Sequence, residues 1–122
     1  MKGKKILVVD DEPEFVDMLK IRLEANDYAV VTAANGKEGV EKAAAEKPDL
    51  ILLDILMPEM DGYSALKELK ANNETRDIPV IVVTAKSKMQ GLFLVEGIND
   101  YVVKPFEADD LLLRIKRVVA GG

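Results

Sequence analysis

Short apolar runs recur along the chain, and each has the length of a buried β-strand. The runs are rich in Val, Ile and Leu, and polar residues do not alternate with the apolar ones inside them. Continuous apolar runs are typical of strands that are covered on both faces, as in a parallel sheet. The pattern therefore predicts five strands, at residues 6–9, 28–31, 50–53, 80–83 and 101–103.

The segments between these runs carry apolar residues at helical spacing. Phe15, Leu19 and Leu23 repeat every four residues after the first run, and comparable patterns follow the second, third and fifth runs. Such spacing places apolar side chains on one face of a helix. Residues 86–97 are less regular because Gly91 interrupts them, but they are also predicted to be helical. The alternation predicts an α/β fold, a three-layer (βα)5 sandwich with a parallel sheet and right-handed crossovers.

Length and composition favour one folded domain that covers residues 1–122. A chain of 122 residues is long enough for a single core, and its 48% apolar and 32% charged residues are typical of a globular protein. The sequence lacks Cys and His, which excludes disulfides, thiolate metal sites and a phosphohistidine within these residues.

The charge and the first residues limit the partners and the compartment. A net charge of −5 repels phosphate backbones, so nucleic-acid binding by this domain is not expected. The first apolar run is too short for a signal peptide or a membrane span, and Asp10 and Asp11 end it. We therefore predict a cytoplasmic protein without membrane contact.

Polar residues with metal and phosphate chemistry stand at the ends of four predicted strands. Asp10 and Asp11 follow the first strand, and Asp54 follows the third. Thr84 and Lys104 follow the fourth and fifth strands. In an open parallel sheet, sites form beyond the carboxyl ends of the strands, where the strand order reverses. If the order is 2-1-3-4-5, the first and third strands are neighbours and the three carboxylates converge.

Three converging carboxylates repel each other unless a cation neutralises them. A hard divalent cation with oxygen ligands does so, and Mg²⁺ suits a site that keeps several waters for a phosphoryl group. Thr84 supplies a hydroxyl donor, and Lys104 supplies a positive charge for a phosphoryl oxygen. Because phosphoryl transfer depends mainly on positioning and electrostatic stabilisation, this residue set predicts a phosphoryl-transfer site.

Five sequence motifs follow one another along the chain. They are Val8-Val9-Asp10-Asp11-Glu12-Pro13, Pro48-Asp49-Leu50-Ile51-Leu52-Leu53-Asp54, Met57-Pro58-Glu59-Met60-Asp61-Gly62, Val83-Thr84-Ala85 and Lys104-Pro105-Phe106. These motifs resemble those of CheY-like response regulator receiver domains, and the resemblance spans the whole chain. It implies a flavodoxin-like sheet of order 2-1-3-4-5 and a two-component signalling switch. Asp54 would accept a phosphoryl group from a sensor histidine kinase or a histidine phosphotransfer protein. The protein would not be an enzyme beyond its own phosphorylation and dephosphorylation.

The resemblance also implies a set of ligands for Mg²⁺. Asp11 would bind the ion directly, and Asp10 would bind it mostly through water. Asp54 and the backbone carbonyl of Leu56 would complete the ligands that the protein provides.

The resemblance further implies how the domain changes conformation when it is phosphorylated. Thr84 and Lys104 would contact the phosphoryl oxygens, and Tyr101 would move inward together with Thr84. The face formed by the fourth helix, fifth strand and fifth helix would then meet a downstream protein partner, with the domain a monomer or a phosphorylation-dependent dimer. The Lys104–Pro105 peptide bond is expected to be cis, as in the family.

One region departs from the family pattern. The stretch from Thr84 to Lys104 is slightly short, and it reads Gly97-Ile98-Asn99-Asp100 where Gly-Ala-Asp-Asp is common in the family. Both departures fall around the predicted fourth helix, so they affect its length and the identity of the partner rather than the Asp54 site.

Structural roles are alternative interpretations of the single residues, and other functions are alternatives for the whole chain. Asp10 and Asp11 alone are consistent with a helix cap, Lys104 with a solvated charge and Tyr101 with the core. A flavodoxin-like FMN carrier shares the fold, but it needs a Ser-, Thr- or Gly-rich phosphate loop after the first strand. A haloacid-dehalogenase-type hydrolase would have its nucleophile at the first strand and a cap or larger domain, and neither feature is expected from this sequence. A nucleotide-binding protein would show the motif GxxxxGK(S/T) or GxGxxG, and neither is present. A receiver that no longer takes phosphate is the remaining alternative.

Overall fold

The predicted alternation of strands and helices is present in the computed structural model, which describes residues 3–54, 62–85, 98–104 and 106–121. The predicted helix at residues 86–97 lies outside the described residues, so the last helix is labelled α4. No helix in the described ranges is long and apolar enough to cross a membrane. The elements are β1 Lys5–Val9, α1 Pro13–Ala25, β2 Ala29–Ala33, α2 Gly36–Glu46, β3 Leu50–Asp54, α3 Gly62–Ala71, β4 Val80–Ala85, β5 Asp100–Lys104 and α4 Ala108–Gly121.

All five strands form one parallel sheet in the predicted order, β2-β1-β3-β4-β5. The strand β2 begins one residue later than predicted, because the Tyr28 N–H donates to the Leu23 carbonyl at 3.1 Å and closes the end of α1. The order reverses at β1, which lies between β2 and β3. The carboxyl ends of β1 and β3 are therefore neighbours.

A separate apolar core lies on each face of the sheet, which confirms the three-layer architecture. The helices α2 and α3 cover one face, and α1 and α4 cover the other. Every residue of β3 is buried, as its uninterrupted apolar run predicts. The helix residues in these cores are Ala43, Ala65, Leu66 and Leu69 on the first face, and Leu19, Leu23, Leu111 and Ile115 on the second.

The entry into β5 explains one departure from the family pattern. The side-chain carbonyl of Asn99 accepts a hydrogen bond from the Val80 N–H at 3.0 Å, and the Asn99 N–H donates to the Val80 carbonyl at 2.8 Å. One asparagine thus satisfies both backbone groups of the first β4 residue. It aligns the starts of β4 and β5, and hence the residues at their far ends.

The helix α2 approaches β1 most closely at Gly39. A Cβ atom at this position would lie 2.9 Å from both Cγ atoms of Val9, the residue before Asp10. Real Cβ atoms essentially never show contacts this short. Val9 is buried in the core on this face of the sheet, so its side chain has little room to move aside. The absence of a side chain at Gly39 allows α2 to pack closely against β1, the strand that leads to Asp10.

Replacing Gly39 with Ala should therefore destabilise the fold, although Ala is the better helix former. Helix propensity alone predicts a gain of about 0.5–1 kcal/mol. The contact with Val9 costs about 1–3 kcal/mol, so the free energy of unfolding should show a net loss of up to about 2 kcal/mol. Urea denaturation measures the difference, with exposed Glu41→Ala on the same helix as a control that should change stability by less than about 0.5 kcal/mol. A more stable Gly39→Ala protein would contradict the contact.

Candidate active site at the carboxyl end of the sheet

The pairing of β1 with β3 brings two carboxylates together. Val9 pairs with Leu53, so the residues that follow them, Asp10 and Asp54, lie side by side. The Asp10 N–H donates to the Ala33 carbonyl at 3.1 Å, which ties the residue to the end of β2. Asp10 is 3% exposed and Asp54 is 5% exposed. Because buried carboxylates are costly without compensating charge, this corner of the sheet requires a cation.

Lys104 provides a positive charge from the far side of the site. It ends β5, and β4 lies between β5 and β3. Its Nζ lies 3.1 Å from Asp10 Oδ2 and 3.6 Å from Asp54 Oδ2. Only 22% of its side chain is exposed, so the alternative of a solvated lysine is wrong. One ammonium group thus connects the ends of β1, β3 and β5.

A third carboxylate, that of Glu12, completes the cluster. Its Oε1 lies 2.9 Å from Lys104 Nζ, and one oxygen each of Asp10, Glu12 and Asp54 lies within 4.8 Å of the others. Oxygen donors of this kind suit a hard cation such as Mg²⁺ or Ca²⁺. The donor set therefore fits a divalent ion.

Glu12 was not predicted as a site residue, although its position in the acidic run after β1 was a signal. The Glu12 N–H donates to Asp10 Oδ1 at 2.9 Å, which turns the chain and returns the Glu12 side chain to the cluster. Glu12 is also the N-cap residue of α1, and its side chain makes no capping hydrogen bond. Asp10 and Asp11 are therefore not the N-cap residues, although Asp10 Oδ1 accepts from the N–H of the residue that is.

Asp11 lies beside the cluster but not within it. It is exposed, and it lines a small hollow between the ends of β1 and β2 together with Asp17 and Thr32. Among the described residues, the carboxylates grouped closely enough for one metal ion are those of Asp10, Glu12 and Asp54. Direct metal binding by Asp11 stays a prediction.

Thr84 lies at the expected end of the sheet, whereas Tyr101 lies near the start of β5. The backbone of Thr84 pairs with Val103 near the end of β4, next to the strand that carries Asp54. Tyr101 is 36% exposed on β5, so the alternative that it belongs to the core is wrong. Leu56 and Pro105 lie outside the described residues, as do the predicted metal-binding carbonyl and the cis peptide bond.

Burial and the neighbouring charges shift the pKa values of both Asp10 and Lys104. Burial raises the pKa of the Asp10 carboxyl, although the Glu12 N–H and the Lys104 ammonium oppose this shift. Burial by itself would lower the pKa of Lys104, but the carboxylates of Glu12, Asp10 and Asp54 outweigh it and hold that pKa above its ordinary value. The ammonium of Lys104 therefore stays charged, whereas burial disfavours the charged form of the Asp10 carboxyl.

The matches to known proteins agree with this geometry. The family model for the response regulator receiver domain matches residues 6–116. This chain belongs to that family. It is 42% identical over 121 residues to the alkaline phosphatase synthesis transcriptional regulatory protein PhoP of Bacillus subtilis, covering 96% of this chain and 49% of PhoP. It is 41% identical over 121 residues to Protein PilH of Pseudomonas aeruginosa, covering 96% of this chain and 98% of PilH.

A solved structure with the same architecture is the receiver domain of the sensor histidine kinase PA1611 from Pseudomonas aeruginosa. The two chains superpose with a TM-score of 0.89 at 33% identity, over 97% of this chain and 98% of the other. That protein holds a magnesium ion in its active-site cleft. The present receiver domain spans about half the length of several curated relatives, as the 49% coverage of PhoP illustrates.

Replacing Asp10 with Asn should stabilise the receiver domain at neutral pH when no divalent cation is present. With a raised folded-state pKa, Asp10 favours the fold in its protonated form, below the unfolded-state pKa, and this contribution is lost as the pH rises through the folded-state pKa. A neutral isostere should raise the free energy of unfolding by on the order of 1 kcal/mol at pH 7, and by less as the pH falls.

Urea denaturation at several pH values tests this expectation. Exposed Asp11→Asn is the matched control, and it should change stability little at any pH. A less stable Asp10→Asn protein at pH 7 would mean that the ion pair with Lys104 outweighs the cost of burial.

Proposed function

We propose that this receiver domain, acting as one unit over residues 1–122, accepts a phosphoryl group on Asp54 in a Mg²⁺-dependent reaction. The observation that carries the proposal is the position of Asp54. It is a buried carboxylate at the end of a wholly apolar strand, with the Lys104 ammonium 3.6 Å from its Oδ2. Phosphoryl transfer needs a nucleophile and a positive charge held in position, and Asp54 and Lys104 would supply them.

The proposed step forms one bond and breaks another. An Asp54 carboxylate oxygen attacks phosphorus, and the P–N bond of a phosphohistidine breaks, leaving its electron pair on the imidazole nitrogen. The Lys104 ammonium stabilises the negative charge on the phosphoryl oxygens. The hydroxyl of Thr84, at the end of β4, would donate to another of these oxygens.

We infer that Asp10, Asp11, Asp54 and the Leu56 carbonyl would hold Mg²⁺. The buried pair Asp10 and Asp54 supports this inference, as does the oxygen cluster that they form with Glu12. When bound, Mg²⁺ would neutralise charge on the transferred phosphoryl group. The magnesium in the related PA1611 receiver domain supports the same choice of ion.

The phosphoryl donor would be a sensor histidine kinase or a histidine phosphotransfer protein. The sequence contains no His, so the phosphohistidine lies outside residues 1–122. Phosphorylation would draw Thr84 and Tyr101 inward. Tyr101 is exposed in this structure, so an inward movement of its side chain would bury it. The output face would comprise residues 86–97, β5 and α4, on a monomer or a phosphorylation-dependent dimer.

Incubation with Mg²⁺ and acetyl phosphate should add the mass of one phosphoryl group to the protein. Asp54→Asn should abolish this addition, because the amide is not a nucleophile. Asp109→Asn, an exposed carboxylate in the first turn of α4, is the matched control and should be labelled normally. Intact mass spectrometry measures both. Labelling that survives in Asp54→Asn would exclude Asp54 as the acceptor, and no labelling of the unmodified protein would favour a receiver that no longer takes phosphate.

The phosphorylated state should be long-lived because Leu56, two residues after Asp54, cannot hydrogen-bond an attacking water. Leu56→Asn should shorten the half-life of the phosphorylated protein by about two- to tenfold. Leu56→Ile keeps an apolar side chain and should leave the half-life unchanged. The decay is followed by mass spectrometry after the donor is removed. Equal decay in both variants would show that this position does not control access of water.

A further inference from the structure

The Lys104 ammonium has a second set of contacts on the outer side of the carboxylate cluster. Its Nζ lies 2.9 Å from Glu12 Oε1, which is its shortest ion pair among the described residues. The same Nζ lies 4.2 Å from the centroid of the Phe15 ring. An ammonium at this distance from an aromatic face is attracted by the ring quadrupole. Lys104 is thus held from outside as well as from inside the cluster.

The Phe15 ring is itself fixed in place. It meets the Phe106 ring edge to face, with centroids 5.8 Å apart and ring planes at 82°. This geometry is the favoured one for an aromatic pair. Phe106 follows β5 closely, so the aromatic pair links the start of α1 to the end of the strand that carries Lys104. The ring face that meets the ammonium is therefore preorganised.

The charges indicate what these outer contacts do. Without Glu12, the Lys104 ammonium would have Asp10 and Asp54 as its carboxylate partners. It already contacts Asp10 at 3.1 Å, so it would be drawn closer to Asp54, which lies 3.6 Å away. These are the groups that must bind a cation and attack phosphorus. Glu12 can act as the outer partner because 62% of its side chain is exposed, so its charge costs little to keep.

We propose that Glu12 and Phe15 are positioning residues that hold the Lys104 ammonium at the rim of the site. Held there, Lys104 keeps its separation of 3.6 Å from Asp54 Oδ2 and stays within reach of a phosphoryl group on that residue. The phosphoryl-transfer part of this inference rests on the proposed function, whereas the placement of the ammonium does not. Neither residue touches the transferred group, and both act through Lys104.

The first test measures the placement directly, in protein without metal or phosphoryl donor. In ¹³C-lysine-labelled protein, the Lys104 Cε protons should resonate upfield because of the Phe15 ring current. Phe15→Leu should abolish this shift and Phe15→Tyr should keep it. Glu12→Gln should reduce it, whereas Glu14→Gln, at an exposed position on the same helix, should not. An unchanged shift in Glu12→Gln would overturn the role of Glu12.

The second test asks whether Glu12 acts through Lys104 on the reaction. With Mg²⁺ and acetyl phosphate, Glu12→Gln should slow the labelling of Asp54 by about three- to tenfold. In a Lys104→Met background the same change should alter the rate by less than about twofold. An equal slowing in both backgrounds would assign Glu12 to the metal instead and overturn the proposal. If no variant is labelled while the ring-current shifts behave as expected, the proposed function fails and the placement of Lys104 stands.

Discussion

Two buried carboxylates at adjacent strand ends are the constraint on which the site depends. The pairing of β1 with β3 brings Asp10 and Asp54 together, and both carboxylates are too buried to be well solvated by water. The Lys104 ammonium reaches both from β5. The strand order therefore has an electrostatic consequence as well as a packing one, because it places the long basic side chain of Lys104 beside the acid pair. The raised pKa of Asp10, caused mainly by its burial, shows that this compensation is incomplete.

Incomplete compensation suits a site that must accept further charge. A cluster fully neutralised by the protein would gain little from a divalent cation, whereas a cluster with excess negative charge attracts one. The surrounding fold resists the resulting strain. Gly39 allows α2 to pack against Val9, immediately before Asp10, and the whole of β3 is buried up to Asp54. The stability that the site lacks is supplied by the apolar residues that lead into it.

The fold was predictable because its main signal is local. Uninterrupted apolar runs predict buried parallel strands, and residues at strand ends must then share one edge of the sheet. The contribution of Glu12 depended instead on a turn stabilised by the Asp10 carboxylate, and that of Phe15 on an aromatic partner many residues away. The exposure of Tyr101 was equally undetermined, since apolar neighbours on a strand do not reveal which face is covered by a helix. Side-chain contacts between distant elements have no periodicity in the sequence.

The contacts of β5 suggest how occupancy of the site reaches another surface. Lys104 cannot keep its full set of carboxylate contacts while it also binds a phosphoryl group on Asp54, because its ammonium has three donors. The other end of the same strand is held by Arg114 of α4, whose Nη1 lies 2.7 Å from Asp100 Oδ1 and 3.3 Å from the Tyr101 carbonyl. The strand β5 is thus held by ionic contacts near both of its ends. A rearrangement of Lys104 would therefore act on Tyr101 and α4, which lie on the proposed output face.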